Sequence, residues 1–250
     1  MKIKFILIPI ICLSTALSAT AKDEAKPLAL TPVPHPGKEK SHESFNEISK
    51  KGEASVVFLG DSITAGWNGR GKEVWEKTWA PIGAVNFGIG GDRTEHILWR
   101  LENGNYDGLK PELTVLMIGT NNTGHSGREV AEHGGVVYNS SAEETAEGVK
   151  AIIGKLQKKQ PQMKILLLAI FPRGADSSDE KRKKNEVTNQ IISKLHDGEK
   201  VWFLDINDKF LEEDGTLSKE IMPDLLHPNQ KGYEIWAEAI EPKVKELLDK

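Results

Sequence analysis

Cysteine is almost absent from this chain of 250 residues, and the single one, Cys12, lies in an apolar segment at the N-terminus. Two lysines precede the apolar run, and the small-residue pattern ATA ends it at position 21. These features predict a secretory signal peptide over residues 1–21 and export to a secreted or periplasmic location. The run is shorter than the ~20 residues of a bilayer span, although an uncleaved anchor is the alternative. The mature chain would then contain no thiol, which excludes disulfides and cysteine nucleophiles.

An excess of positive charge is also missing. The sequence has 33 basic against 37 acidic residues, a net charge of -4, which becomes -6 once Lys2 and Lys4 are removed with the signal peptide. A mildly acidic chain argues against a nucleic-acid partner. No group of side chains has the spacing of zinc ligands, so we expect neither metal nor cofactor. We expect no stable membrane insertion of the mature chain, and the composition says nothing about oligomeric state.

Proline is concentrated in one place. Four of the 12 prolines fall between positions 27 and 36, where neither a helix nor a central strand can form. We therefore expect an extended arm over residues 22–44. Residues 45–250 are expected to form a single domain, whose length is sufficient for an ordinary hydrophobic core without covalent cross-links.

The domain alternates short apolar runs with amphipathic segments. The runs are almost entirely apolar, as in parallel strands covered on both faces, and lie at 55–59, 84–87, 113–118, 164–170 and 201–204. The segments between them suit helices, which we place at about 94–104, 141–161, 179–198 and 229–248. This order predicts an α/β fold in which helices cover both faces of a five-stranded parallel sheet, a three-layer α/β/α sandwich.

Glycine and small polar residues follow the first three predicted strands. The sequences are GDSIT at 60–64, GIGGD at 88–92 and GTNN at 119–122. Each has a purely structural explanation, since Asp61 or Ser62 could cap a helix and the other two could be turns. In a parallel sheet, however, ligands bind beyond the carboxyl ends of the strands, so these three segments are expected to meet at one site.

Acyl transfer needs a hydroxyl nucleophile, a base, a group that orients the base, and donors for the oxyanion. Ser62 is a candidate nucleophile. Among the seven histidines, His227 alone has a carboxylate, Asp224, at one-turn spacing in a loop before the last helix, although an exposed structural histidine is the alternative. The G-x-S-x-G elbow of the α/β-hydrolases is absent, so Ser62 would have to act from a different turn.

These segments resemble the four sequence blocks of the SGNH hydrolases, also called GDSL esterases and lipases. The blocks are GDSIT, NFGIGGDRT at 86–94, GTNN and DLLH at 224–227, and they occur in the family's order from about residue 41 to the C-terminus. NFGIGGDRT, HILWRLENG and PRG at 172–174 are more similar to the branch that contains the acetylhydrolases of platelet-activating factor.

The resemblance implies a flavodoxin-like sheet and a role for each matching position. Ser62 resembles the nucleophile, and Asp224 and His227 resemble the remaining catalytic pair. The backbone of Ser62, the backbone of Gly91 and the side chain of Asn121 would form the oxyanion hole. Ile63 stands where the family name has leucine, which is a conservative change.

Substrate contacts are less clearly marked. The polar, glycine-rich stretch at 122–142 is longer than a typical connection, which makes its residues His125, Arg128 and Tyr138 candidates. Arg173 follows the fourth strand and is a candidate as well, with a structural ion pair as the alternative. Asp61 is a further candidate, although bracing of the turn is the simpler role. Trp67 could stack on a sugar or pack in the core, and we expect the core.

The expected function is that of a secreted serine esterase acting on short-chain esters. The resemblance favours an O-acetylesterase that uses an acetylated carbohydrate or a similar small ester. A lysophospholipase or thioesterase with the same catalytic residues is an alternative. A non-catalytic carbohydrate-binding protein on the same fold is an alternative of another class, although such a protein would not need a base and its orienting carboxylate.

Overall fold

The computed structural model describes Met1 and residues 26–248. The predicted signal peptide and its cleavage site therefore lie outside the described residues, apart from Met1. Within the part that is described, no helix combines the length and the apolar character needed to cross a membrane.

Five of the seven strands in the described chain form one parallel sheet. Its order is β2-β1-β3-β6-β7, and each neighbouring pair is parallel. The remaining two strands, β4 and β5, form a small antiparallel hairpin. The strands are β1 Val56–Gly60, β2 Ala84–Gly88, β3 Leu113–Met117, β4 Glu129–Val130, β5 Val136–Val137, β6 Lys164–Leu168 and β7 Val201–Leu204.

Eight α-helices lie between and after the strands of the described chain. Three of the longer ones begin at a side-chain cap: Ser141 before α6, Asp179 before α7 and Asn229 before α8. The helices are α1 Glu39–Lys51, α2 Ser62–Ala65, α3 Lys72–Thr78, α4 Thr94–Glu102, α5 Thr120–Gly124, α6 Ala142–Lys159, α7 Glu180–Ile192 and α8 Gln230–Leu247.

The two faces of the sheet carry separate apolar cores. On one face, alternate residues of β1 such as Val57 and Leu59 pack with apolar residues of α1, α4, α6 and α7. On the other, Val56 and Phe58 pack with α8 and with an aromatic cluster that includes Trp67. Trp67 is fully buried, as expected. A strand buried on both faces has no solvent side, which explains why the strand sequences are apolar throughout.

The predicted three-layer α/β/α fold is confirmed. Of the five strands in the parallel sheet, β1, β2, β3 and β6 differ from their predicted limits by one or two residues, and β7 matches its predicted limits. The stretch at 122–142, predicted as a loop, contains most of α5 and the β4–β5 hairpin. Both elements are too short to leave a periodic pattern in the sequence.

The predicted boundary of the arm at residue 44 is wrong. Helix α1 begins at Glu39, so the arm ends at residue 38, and we use "N-terminal arm" for residues 26–38. The arm includes a short 3₁₀ turn at Leu28–Leu30, in which Ala29 is fully buried. The hydroxyl of Thr94, the first residue of α4, donates to the Ala29 carbonyl at 2.8 Å. The arm is therefore packed against the domain.

Helix α2 starts directly after β1 because Asp61 caps it. The Asp61 carboxylate accepts a hydrogen bond from the backbone N–H of Ile63 at 2.9 Å. The side chain is 1% exposed, and this burial raises the pKa of Asp61 from 3.8 to about 7, against the opposing effect of the Ile63 N–H. The folded protein thus holds the Asp61 proton more tightly than the unfolded chain does.

Ionisation of Asp61 should therefore cost stability as the pH rises from about 4 to 7, because the unfolded chain loses this proton first. Asp61→Asn cannot ionise and keeps an oxygen for the Ile63 N–H. Its free energy of unfolding, relative to wild type, should rise by on the order of 1 to 4 kcal/mol between pH 4 and pH 8. Urea unfolding of both proteins at pH 4, 6 and 8 measures this, and a difference that does not change with pH would contradict it.

Candidate active site

The Ser62 hydroxyl lies at the carboxyl edge of the sheet, on the first residue of α2. Its Oγ is 2.9 Å from Nε2 of His227, a residue 165 positions later in the chain. The tertiary fold therefore joins the predicted nucleophile and the predicted base at hydrogen-bonding distance. The backbone N–H of Ser62 belongs to the first turn of α2, where amides have no acceptor within the helix.

His227 is held by the turn that contains Asp224. One carboxylate oxygen of Asp224 accepts the backbone N–H groups of Leu226 and His227, at 3.2 and 2.8 Å. The other oxygen is 2.7 Å from Nδ1 of the His227 ring. Leu225 has φ 57° in this turn, so the segment is not the helical turn that the three-residue spacing allowed. With Nδ1–H bound to the carboxylate, Nε2 is the nitrogen that faces Ser62.

The charge of Asp224 is maintained by the same contacts. Burial alone would raise its pKa, but the backbone N–H and the imidazole of His227 outweigh that effect and lower the pKa below its ordinary value. The carboxylate is consequently ionised at neutral pH and accepts a hydrogen bond from Nδ1–H of His227.

The loop after β2, GIGGD at 88–92, lies beside Ser62 and is called here the GIGGD loop. A Cβ added to Gly90 would be 3.7 Å from Ser62 Cβ, and the Ile89 N–H donates to the Gly60 carbonyl at 3.1 Å. Gly91 has φ 88°, a left-handed conformation that side chains disfavour. Its N–H donates to no acceptor in the described part of the chain, and it is available to a ligand.

Asn121 lies in α5, directly after β3, and is 9% exposed. One hydrogen of its side-chain amide is donated to the carbonyl of Asp92 at 3.0 Å. This bond fixes which end of the amide carries the nitrogen and leaves the second hydrogen of Nδ2 for another acceptor. The three segments predicted to meet at the sheet edge are thus joined in one place.

Arg173 supports the start of α5. Its guanidinium donates to the Thr120 carbonyl and hydroxyl at 2.9 and 3.1 Å, one residue before Asn121. Asn122 is turned inward and donates to the hydroxyls of Thr94 and Tyr138. The two asparagines of GTNN therefore have different contacts: Asn121 bonds the GIGGD loop beside Ser62, and Asn122 bonds side chains in the interior.

A cavity of about 410 Å³ opens beside Ser62 and His227. Arg70 is exposed and is the cationic side chain of the lining, and no carboxylate of the described residues forms an ion pair with it. Sequence reasoning missed Arg70; the glycine-rich stretch that follows Trp67 was the available signal. The lining consists of Ser62, Ala65, Gly66, Gly69, Arg70, His227 and Tyr233.

None of the predicted substrate contacts lines this cavity. For two of them the prediction is wrong, because Asp61 and Tyr138 are 1% and 0% exposed and cannot meet a ligand in this conformation. Arg173 and His125 are half-buried, and Arg128 is exposed, so substrate contact by these three stays a prediction. Burial, followed by the nearby charge of Arg93, lowers the pKa of His125 to about 4, which leaves the ring neutral at pH 7.

Three residues that sequence reasoning did not group together lie near the GIGGD loop. His35, Asp92 and His96 each offer a possible metal-ligand atom, and these atoms lie within 4.8 Å of one another. Each side chain already has partners in the chain, however. Asp92 binds His35 and the Arg100 guanidinium, and Nδ1 of His96 accepts the Arg93 backbone N–H. The group is therefore a set of hydrogen-bonded side chains, each of which already has a partner within the protein.

Comparison with known proteins identifies the family. Residues 58–235 match the model of the GDSL-like Lipase/Acylhydrolase family. Platelet-activating factor acetylhydrolase IB subunit alpha1 of Homo sapiens is 34% identical over 93% of this chain and 94% of its own length. Subunit alpha2 of the same enzyme from Rattus norvegicus is 35% identical over 83% of both chains.

A solved structure shows the same fold at lower sequence identity. An acetylxylan esterase from Geobacillus stearothermophilus superposes with a TM-score of 0.60 at 20% identity, covering 77% of this chain and 96% of the other. The chain therefore belongs to the GDSL-like lipase and acylhydrolase family, the SGNH hydrolases, and is a carboxylic ester hydrolase similar to the acetylhydrolases of platelet-activating factor.

Proposed function

We propose that this protein is a serine esterase that removes short acyl groups, most of all acetyl, from a carbohydrate or a similar small polar ester. The observation that carries the proposal is the hydrogen-bonded series Ser62 Oγ, His227 Nε2, His227 Nδ1 and Asp224, with distances of 2.9 and 2.7 Å. A binding protein has no need for such a series, because nothing in binding requires a proton to leave a serine.

In the first half of the reaction, Ser62 Oγ attacks the ester carbonyl while His227 Nε2 takes its proton. Asp224 stabilises the imidazolium that forms and keeps Nδ1 protonated. The carbonyl oxygen becomes an oxyanion, for which the donors are the backbone N–H groups of Ser62 and Gly91 and the free hydrogen of Asn121 Nδ2. One such donor typically lowers the barrier by about 3 to 4 kcal/mol.

In the second half, the tetrahedral intermediate collapses, and His227 gives its proton to the departing alcohol. The acyl group stays on Ser62 as an ester. A water molecule then attacks this ester while His227 Nε2 takes its proton, and the same donors meet the second oxyanion. The bond between the acyl carbon and Ser62 Oγ then breaks, His227 returns its proton to Ser62 Oγ, and the acid is released.

Two observations favour a polar substrate with a short acyl group. The cavity beside Ser62 is partly walled by glycines and carries the Arg70 guanidinium, whose N–H groups can donate to oxygen atoms of the alcohol portion. The human and rat relatives are named acetylhydrolases, and the acetylxylan esterase shares the fold. A lysophospholipase or thioesterase is the second candidate, because the same catalytic residues would act on longer acyl chains.

Ser62→Ala tests the mechanism. We expect hydrolysis of p-nitrophenyl acetate to fall by on the order of 10³-fold or more, because among the described residues Ser62 supplies the hydroxyl that is bonded to His227. A fluorophosphonate should label wild type on Ser62 and should not label the variant. The melting temperature should hardly change, since the hydroxyl is not part of the core.

Ser44→Ala is the matched control, because it removes an exposed hydroxyl on α1 that donates to the Ser41 carbonyl of the same helix. It should retain full activity and labelling. Unlabelled wild-type protein would favour the non-catalytic carbohydrate-binding alternative.

Acyl length is tested by comparing p-nitrophenyl acetate, butyrate and octanoate. We expect kcat/KM for acetate to exceed that for octanoate by about 10-fold or more, because no large aliphatic side chain of the described residues lines the cavity and the added methylenes would gain little apolar contact. Faster hydrolysis of octanoate would favour the lysophospholipase or thioesterase alternative and would leave the mechanism unchanged.

Export is part of the same proposal and rests on the sequence of residues 1–21. N-terminal sequencing of the protein recovered outside the cytoplasm should read Lys22 as its first residue. A mature protein that still begins at Met1 would favour the uncleaved anchor.

A further inference from the structure

The N-terminal arm is bonded to the GIGGD loop through the side chain of His35. Nδ1 of His35 donates to Oδ1 of Asp92, the last residue of the loop, at 2.8 Å. The Asp92 side chain is fully buried, and that of His35 is 18% exposed. A buried carboxylate requires partners for both of its oxygens, and an imidazole from outside the sheet supplies one of them.

The His35 ring also lies directly against the loop backbone. A Cβ added to Gly91 would be 2.9 Å from His35 Cε1, so ring and backbone are in contact. The ring also stacks on His96 of α4, with a centroid distance of 4.3 Å and an interplanar angle of 17°. The ring is therefore in contact with a helix and with the glycine whose N–H is a proposed oxyanion donor.

Asp92 connects these contacts to the second donor. Its Oδ2 binds the Arg100 guanidinium of α4, and its backbone carbonyl accepts the side-chain amide of Asn121 at 3.0 Å. Gly91, which carries the first donor, directly precedes Asp92 in the chain, and Asn121 Nδ2, the second donor, is bonded to the Asp92 carbonyl. The placement of Asp92 therefore determines the placement of both donors.

We infer that His35 is a positioning residue for the oxyanion hole, and this inference rests on the proposed function. The GIGGD loop contains Gly90 and Gly91, which have little resistance to backbone rotation. The bond from His35 and the contact of its ring restrict this rotation, so that Gly91 N–H and Asn121 remain aimed at the carbonyl oxygen. The N-terminal arm, which precedes all four sequence blocks, is thus a working part of the active site.

The test compares three variants at residue 35. His35→Ala removes the hydrogen bond and the ring contact. His35→Gln keeps bulk but carries its donor farther from the backbone than Nδ1, whereas the Asn side-chain nitrogen in His35→Asn lies near the Nδ1 position and can still donate to Asp92. His42→Ala is the control, because it removes an imidazole from neighbouring α1 that bonds Asn46 and Asn105 rather than the loop.

We expect kcat for p-nitrophenyl acetate to fall about 10- to 100-fold in His35→Ala and His35→Gln, which is less than the loss of a whole donor costs. KM should stay within about twofold of wild type, because donors aimed at the oxyanion act mainly in the transition state. Fluorophosphonate labelling of Ser62 should slow in parallel. His35→Asn should recover most of the rate, and His42→Ala should retain wild-type kcat even if its melting temperature falls.

The outcomes separate this inference from the proposed function. If wild type is neither active nor labelled, the proposed function fails and the inference fails with it. If wild type is active and all three variants at residue 35 match its kcat, the inference alone is overturned. Equal loss in His35→Asn and His35→Ala, or a kcat that simply follows the melting temperature in every variant including His42→Ala, would assign His35 a structural role and overturn the inference as well.

Discussion

The close approach of α2 to the end of β2 is the constraint on which the site depends. A Cβ at Gly88 would lie 2.2 Å from the backbone nitrogen of Ala65, and one at Gly60 would lie 2.4 Å from the Met117 carbonyl. Such distances allow only glycine, so the chain can turn from β1 into α2 while remaining in contact with β2 and β3. This packing brings the first residue of α2, Ser62, beside the GIGGD loop.

The other half of the site is brought in from the far end of the chain. The Tyr233 hydroxyl of α8 donates to the Ile63 carbonyl at 2.6 Å, and its ring packs on Trp67 at 4.6 Å. These buried contacts join α8 to α2. The Asp224 to His227 turn comes just before α8, so the same contacts determine where the imidazole meets the serine. The proton path proposed for catalysis is consequently supported by the aromatic core under it.

Asp92 illustrates how a buried polar residue can organise a surface site. Its carboxylate is enclosed by His35 and Arg100, and its carbonyl holds Asn121. A buried carboxylate left without these partners would be costly, so the arm, α4 and α5 are each held to the loop by the need to satisfy it. In this arrangement stability and the aim of the proposed oxyanion donors come from the same hydrogen bonds.

The sequence by itself determined the layered fold and the residues at the strand ends. Short continuous apolar runs such as 113–118 are typical of strands covered on both faces, and parallel strands bring their carboxyl ends to one edge. The glycine-rich segments after the first three strands, including GDSIT with Ser62, could therefore be grouped before any coordinates, and spacing made Asp224 and His227 a candidate pair. The resemblance to a family added the roles of Gly91 and Asn121.

Only the tertiary structure decided which other residues reach the site. Asp61 and Tyr138 were candidate substrate contacts and are buried, while Arg70 and His35 were not expected at the site. Local sequence patterns report which residues prefer burial, but the meeting of His35 with Asp92, 57 positions apart, depends on how the arm packs across α4. Contacts of that kind are set by three-dimensional packing, which leaves no periodic signal in the chain.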